Sequence, residues 1–114
     1  MHDLASKRCV PCAGGVMPMS RNEAEVLIAQ LQGWDLADDR RIHKTYKFRD
    51  FRAAMAFINR MADVAEAEGH HPDFCVHYRL VNVTIWTHAV SGLTENDFIL
   101  AAKIDQVKED PVAN

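Results

Sequence analysis

Of the six histidines in the chain, three sit where proton chemistry can be done: His70, His71 and His88. Imidazole suits that work because its unperturbed pKa of about 6.5 lets it give or take a proton near neutral pH. His70 and His71 follow Gly69, which ends a helical pattern, and precede Pro72. The proline biases His71 toward an extended backbone, so the two rings should point in different directions. His88 closes the last strand pattern on its polar-leaning side. Two imidazoles on a loop and one at a strand end can converge on a cleft, and loops held by rigid elements often carry catalytic groups. The same residues also fit plainer roles. A His-His pair after a helix can cap its negative end, and His88 can be a solvated strand terminus.

Other chemistries find less support. Glu66 with the histidines offers zinc-type donors, but no H-x-x-x-H or H-E-x-x-H pair lies at helical spacing. Ser20 and Ser91-Gly92 lack a nucleophile-elbow context, and no glycine-rich phosphate loop follows a strand. Cys9-Val10-Pro11-Cys12 has CxxC spacing, yet it stands in a Pro/Gly-rich arm and has no second pair to complete a zinc site. His2 and Cys75 complete such a site only if the fold gathers them. Free thiols are the expectation for all three cysteines.

The elements that must position these groups read as follows. Residues 1–19 form an extended arm, broken by Pro11, Gly14, Gly15 and Pro18. Ser20-Arg21-Asn22-Glu23 is a capping box opening a helix with Val26, Leu27 and Leu31 on its apolar face, ended by Gly33. Trp34 to Leu36 and Ile42 to Phe48 predict two strands, the second with Ile42, Lys44, Tyr46 and Phe48 on one side. Asp50 caps a helix over roughly 51–68, with Phe51, Ala54, Met55, Ile58, Met61, Ala62 and Ala65 as its buried stripe. Phe74 to Tyr78 and Val81 to His88 predict a second strand pair. Val81, Val83 and Ile85 face one side, and Asn82, Thr84, Trp86 and His88 the other. Thr94 caps a last helix carrying Phe98, Leu100, Ala101, Ile104 and Val107. The expectation is one α+β domain over 20–110, a four-stranded, largely antiparallel sheet with helices on one face. Residues 111–114 form a tail.

Composition agrees. A chain of 114 residues with 48% hydrophobic content is one domain with a core of its own. A net charge of -3 argues against a nucleic-acid partner, which favours basic surfaces. No apolar run approaches the roughly 20 residues that span a membrane. Met1-His2-Asp3-Leu4-Ala5 lacks the build of a secretory signal, which makes the cytoplasm the expected compartment.

The run Glu66-Ala67-Glu68-Gly69-His70-His71-Pro72, five residues to Tyr78, nine to His88 and eight to Asp97 resembles the signature of the pterin-4a-carbinolamine dehydratases. The likeness extends to Gly33-Trp34, Phe48-Arg49-Asp50-Phe51 and Gly92-Leu93-Thr94-Glu95, over roughly residues 20–108. The resemblance implies a hydro-lyase that takes water from 4a-hydroxytetrahydropterin and so recycles the cofactor of aromatic amino-acid hydroxylases. It implies no metal and no cofactor of its own. His70, His71 and His88 then form the acid/base cluster, with His70 and His88 mainly moving protons and His71 mainly binding substrate. Glu66, one turn before His70, would orient a ring, and Trp34 would wall the pterin pocket. Asp97 falls at the third position of the last helix, where a carboxylate also suits the helix dipole. Pro72 shapes the loop, Tyr78 packs, and Trp86 and Thr87 support the site beside His88. Two positions depart from some members: Gly69 replaces an acidic residue, and Trp86 replaces a small serine. The resemblance further implies a homodimer or homotetramer. Its alternative is a non-catalytic relative, a transcriptional cofactor or assembly factor on the same fold.

Overall fold

The computed structural model describes residues 4–11 and 17–108. Ser20 caps α1 (Arg21–Ile28) as the capping box requires: its side chain accepts from the Glu23 amide, and Glu23 returns to the Ser20 amide. After a turn, β1 (Asp35–Ala37) and β2 (Arg41–Lys47) form a hairpin. Asp50 then caps α2 (Phe51–Glu68), accepting from the Ala53 amide. β3 (Asp73–His77) and β4 (Leu80–Ile85) make a second hairpin, and α3 (Glu95–Lys108) completes the domain. Among the described residues no helix is long and apolar enough to cross a membrane.

The strand order is β1-β2-β4-β3, with each neighbouring pair antiparallel. β4 therefore lies between β2 and β3, which α2 connects as a split βαβ unit. Ile42 pairs with Ile85, Lys44 with Val83 and Tyr46 with Val81, and alternation puts this set on the helix-covered face. Phe57 and Met61 of α2 and Phe98, Leu100 and Ile104 of α3 pack onto it as one buried cluster. Phe57 is central, its ring centroid 4.7 Å from Tyr46 and 5.0 Å from Phe48. Lys44 points into this layer without being left unpaired. Its ammonium lies 2.9 Å from Asp105 of α3, which also accepts from Trp34 Nε1 at 3.1 Å and from the Tyr46 hydroxyl.

Several expectations need correction. Val26 is 66% exposed, because α1 ends at Ile28 and docks through Ala24, Leu27 and Ile28 instead. The stripe of α2 is rotated from the expected one. Phe51 and Met55 are exposed and Ala62 lies outside the core, while Ala53 and Phe57 are buried. Both stripes share Ala54, Ile58, Met61 and Ala65, so an alanine-rich helix offers two nearly equivalent faces and the sheet selects one. Tyr78 does not pack. It stands in the hairpin turn at φ 56° and is 67% exposed. β4 ends at Ile85 rather than continuing to His88. Thr87 exchanges backbone bonds with Gly92, 2.8 and 3.3 Å, and the chain makes a 3-10 turn over His88–Val90 between them.

Phe57→Ala should lower the unfolding free energy by about 3–5 kcal/mol. Val26→Ala should change it by no more than about 0.5 kcal/mol. Denaturant titration followed by circular dichroism measures both.

Candidate active site

Three chain reversals bring the histidines together. α2 ends on Gly69, whose φ of 65° is the left-handed conformation that costs glycine least. The His70 amide then bonds back to Ala65 O at 3.2 Å, closing the helix so that the His70-His71-Pro72 run leaves along its end. β3 starts directly after that run, and β4 returns beside it to the turn that carries His88. α3 begins opposite, at Glu95.

Between these ends lies a cavity of about 700 Å³. His70, His71 and Pro72 line it from the loop, and Glu66 and Glu68 from the end of α2. Trp86, Thr87 and His88 line it from the exit of β4, Asn96 from α3, and Cys9, Val10 and Pro11 from the N-terminal arm. A volume of several hundred Å³ suits a bicyclic small molecule.

The three rings have different settings. His70 is the most enclosed, its side chain 13% exposed, and its Nε2 lies 2.6 Å from Asp97 Oδ1. Asp97 is fully buried, and its other oxygen accepts from Thr87 Oγ1 and from the Thr94 amide, both at 2.8 Å. Since the single Thr87 hydroxyl proton goes to Asp97, the Thr94 hydroxyl must be the donor in its 2.9 Å contact with Thr87. A carboxylate only accepts, so His70 carries its proton on Nε2 toward Asp97. His71 Nε2 meets Glu66 Oε2 at 2.5 Å, with both side chains largely in solvent. His88 is exposed but stacked on Trp86, with ring centroids 3.9 Å apart and planes inclined by 26°. Trp86 is held in turn by Nε1 donating to Asp73 at 3.1 Å and by the Arg41 guanidinium 4.9 Å above its ring.

Most of the expected site residues thus meet. Glu66, His70, His71, Pro72, Trp86, Thr87 and His88 face one cavity, and Asp97 stands immediately behind His70. Two assignments change. Glu66 pairs with His71 rather than His70, because the left-handed turn at Gly69 swings His70 toward α3 and leaves His71 beside the last turn of α2. Trp34 is not a wall of this cavity. It is buried against Tyr46 and tied to Asp105, where it supports the core. Trp86, flat against His88, supplies the aromatic wall instead.

The arm and Asn96 were not expected. The arm is not extended throughout, since Leu4–Ser6 forms a 3-10 turn with Leu4 and Ala5 buried. Aperiodic residues carry no signal of what they cover, and Asn96 stands out only by adjoining Asp97. Cys9 is half-buried, and burial followed by the Glu68 carboxylate pushes its thiol up to about 12. It therefore stays protonated and is not a nucleophile. Burial pushes the Glu68 carboxyl up, but the Cys9 amide, Lys103 and Arg8 outweigh this and hold it below its usual range. Cys12 and His2, the other members of the conjectured metal set, lie outside the described residues, and Cys75 is exposed on β3. Among the described residues no group of three or more histidine, cysteine or acidic side chains is placed to hold a metal ion.

The family profile described as Pterin 4 alpha carbinolamine dehydratase matches residues 17–107. The chain belongs to this family. A Halorhodospira halophila protein assigned by name to the same dehydratases is 52% identical over 103 residues, 90% of this chain and 94% of that one. The Arabidopsis thaliana protein named pterin-4-alpha-carbinolamine dehydratase 2, mitochondrial, is 46% identical over 93% of this chain and 59% of its own length. Among solved structures, the transcriptional coactivator/pterin dehydratase from Brucella melitensis superposes with a TM-score of 0.75 at 34% identity, covering 79% of this chain and 97% of that one. A pterin dehydratase-like protein described as a RuBisCO assembly factor superposes at 0.59 with 21% identity, which speaks for the shared fold alone. In this family member, the histidine cavity is the candidate pterin site.

Asp97→Ala removes the acceptor of three donors in a buried place and should cost roughly 3 kcal/mol of stability. Glu66→Ala breaks only a solvated pair and should cost less than about 1 kcal/mol. Urea titration of both variants beside the wild type checks the contrast.

Proposed function

We propose that the protein is a 4a-hydroxytetrahydropterin dehydratase, yielding quinonoid dihydropterin and water by histidine acid/base catalysis. The observation that carries this is the convergence of His70, His71 and His88 on one cavity, each ring held by a different partner. A non-catalytic binding or assembly role on this fold would give no reason for such a set.

The reaction needs two proton movements. An acid gives a proton to the C4a hydroxyl, the C4a–O bond breaks, and water leaves. The N5 lone pair forms the C4a=N5 double bond as a base removes the N5 proton. His70 and His88 are assigned to these steps, and His71 mainly to holding the pterin. Asp97 fixes the His70 tautomer, which leaves Nδ1 as the nitrogen that exchanges a proton with substrate. This is the arrangement in which a buried carboxylate orients a histidine without itself reacting. Trp86 presents its face to His88, where indole π-density favours a cationic partner and so helps the ring pass through its protonated form. The residue does not obstruct the cavity, since it lies along the wall in contact with His88.

This activity calls for an aromatic amino-acid hydroxylase as the source of its substrate. The edge strand β3 keeps one side unpaired by β4, which supports self-association as a homodimer or homotetramer.

The test is dehydration of 4a-hydroxytetrahydropterin, generated in place by a hydroxylase and followed by ultraviolet absorbance. The wild type should accelerate the reaction, and His70→Ala or His88→Ala should each reduce that acceleration by about a hundredfold or more. A folded wild type that gives no acceleration would return the assignment to a binding or assembly role.

A further inference from the structure

The N-terminal arm is fastened to the end of α2, which leads into His70, and to α3, which carries Asp97. Leu4 is buried in the core, and Lys103 of α3 donates to the Ala5 carbonyl at 2.8 Å. The Cys9 amide donates to Glu68 Oε1 at 2.8 Å, and Arg8 pairs with the same carboxylate at 3.3 Å. Glu68 stands immediately before the Gly69-His70 turn. Asn96, itself only 4% exposed and adjacent to Asp97, holds Val10 by both ends of its backbone. Its Oδ1 accepts from the Val10 amide at 3.0 Å, and its Nδ2 donates to the Val10 carbonyl at 2.6 Å.

This fastening determines what the arm can offer a ligand. The Val10 N–H and C=O are engaged by Asn96, and Pro11 has no N–H. With its backbone polar groups engaged, Val10 lines the cavity as an apolar residue that is 64% exposed. An exposed apolar residue held in place by a buried amide clamp is poorly explained by folding alone, since its burial contributes nothing until something covers it. A reduced pterin has a polar pyrimidine edge and, on the opposite side, a saturated carbon edge at C6 and C7 with its substituent. An apolar lip suits the second.

We propose that the Cys9–Pro11 segment is a substrate-binding wall of the pterin cavity, with Val10 the specificity-determining contact to the C6–C7 edge. Asn96 is its positioning residue. This rests on the dehydratase reading and extends it to a part of the chain outside the histidine signature. A single turn of α3 then seats both parts of the site: Asp97 sets His70, and Asn96 sets the arm.

The test compares Val10→Ala, Val10→Ile and Asn96→Ala with the wild type. Steady-state dehydration gives KM and kcat, and tryptophan fluorescence gives the Kd for 7,8-dihydrobiopterin, a pterin without the 4a-hydroxyl. Val10→Ala should raise KM and Kd by about five- to tenfold, the scale of losing two buried methyl groups, with kcat within about twofold. Asn96→Ala should do the same through the released arm, and Val10→Ile should restore tight binding. Thermal melts check that each variant is folded. Should Asn96→Ala not fold, the two Val10 variants decide alone, because that side chain is exposed. A wild type that binds and turns over pterin, with Val10→Ala matching it in KM and Kd, overturns the wall and leaves the dehydratase intact. A loss in kcat with KM unchanged also overturns it. A wild type that neither binds nor dehydrates a pterin overturns the dehydratase assignment, and the wall with it.

Discussion

The site depends on one buried carboxylate. Asp97 has no contact with solvent, and an ionised group in that position is tolerable only when its lone pairs are filled. His70, Thr87 and the Thr94 amide fill them, and each comes from a different piece of chain. The carboxylate thereby fixes the start of α3, the exit of β4 and the loop after α2 relative to one another. The Thr87–Gly92 bridge follows from the same demand. Thr87 must turn its hydroxyl toward Asp97, and the chain leaves the sheet in the tight turn that presents His88. Stability and the proposed chemistry are coupled here, because the interactions that satisfy the buried charge are those that orient the imidazole.

The surroundings of the three rings support the separate roles proposed for them. His70 is enclosed and held in one tautomer by a charge-assisted bond, which suits a group that must meet the substrate in a fixed geometry. His71 and Glu66 form a solvated pair, and such pairs hold little energy, so that ring keeps freedom to adapt to a ligand. His88 is placed by stacking. The Arg41, Trp86 and His88 groups lie one over another, and Asp73 fixes the middle ring by its indole nitrogen. A serine in place of Trp86 would leave His88 without this platform.

Much of this was legible in the sequence, for physical reasons that differ by element. The Ser20–Glu23 capping box, the Asp50 cap and the Gly69 terminus are local chemistry, and each stands where its residues demand. Alternation in β2 and β4 placed the buried side of the sheet correctly. The stripe of α2 was misplaced at Phe51, Met55 and Ala62 because an alanine-rich helix can dock by more than one face, and here Phe57 packs with Tyr46 and Phe48 instead. The exit of β4 was missed because Trp86-Thr87-His88 continues the alternating pattern while the Asp97 bond takes the chain elsewhere. The histidine set was visible from its residues and spacing. Its partners were not, since Glu66 lies at helical spacing from His70 and only the left-handed turn at Gly69 reassigns it to His71. The resemblance alone pointed to Trp34 as a pocket wall, yet Asp105, far along the chain, draws its indole into the core.

The central claim is that His70, His71 and His88 form one pterin-binding cavity. Nuclear magnetic resonance of the histidine side-chain nitrogens during titration with 7,8-dihydrobiopterin tests it most directly. The account predicts shifts at those three rings, with His77, at the far end of β3 and outside the cavity, unchanged. Saturating pterin that moves His77 and leaves His70 and His88 in place would contradict it.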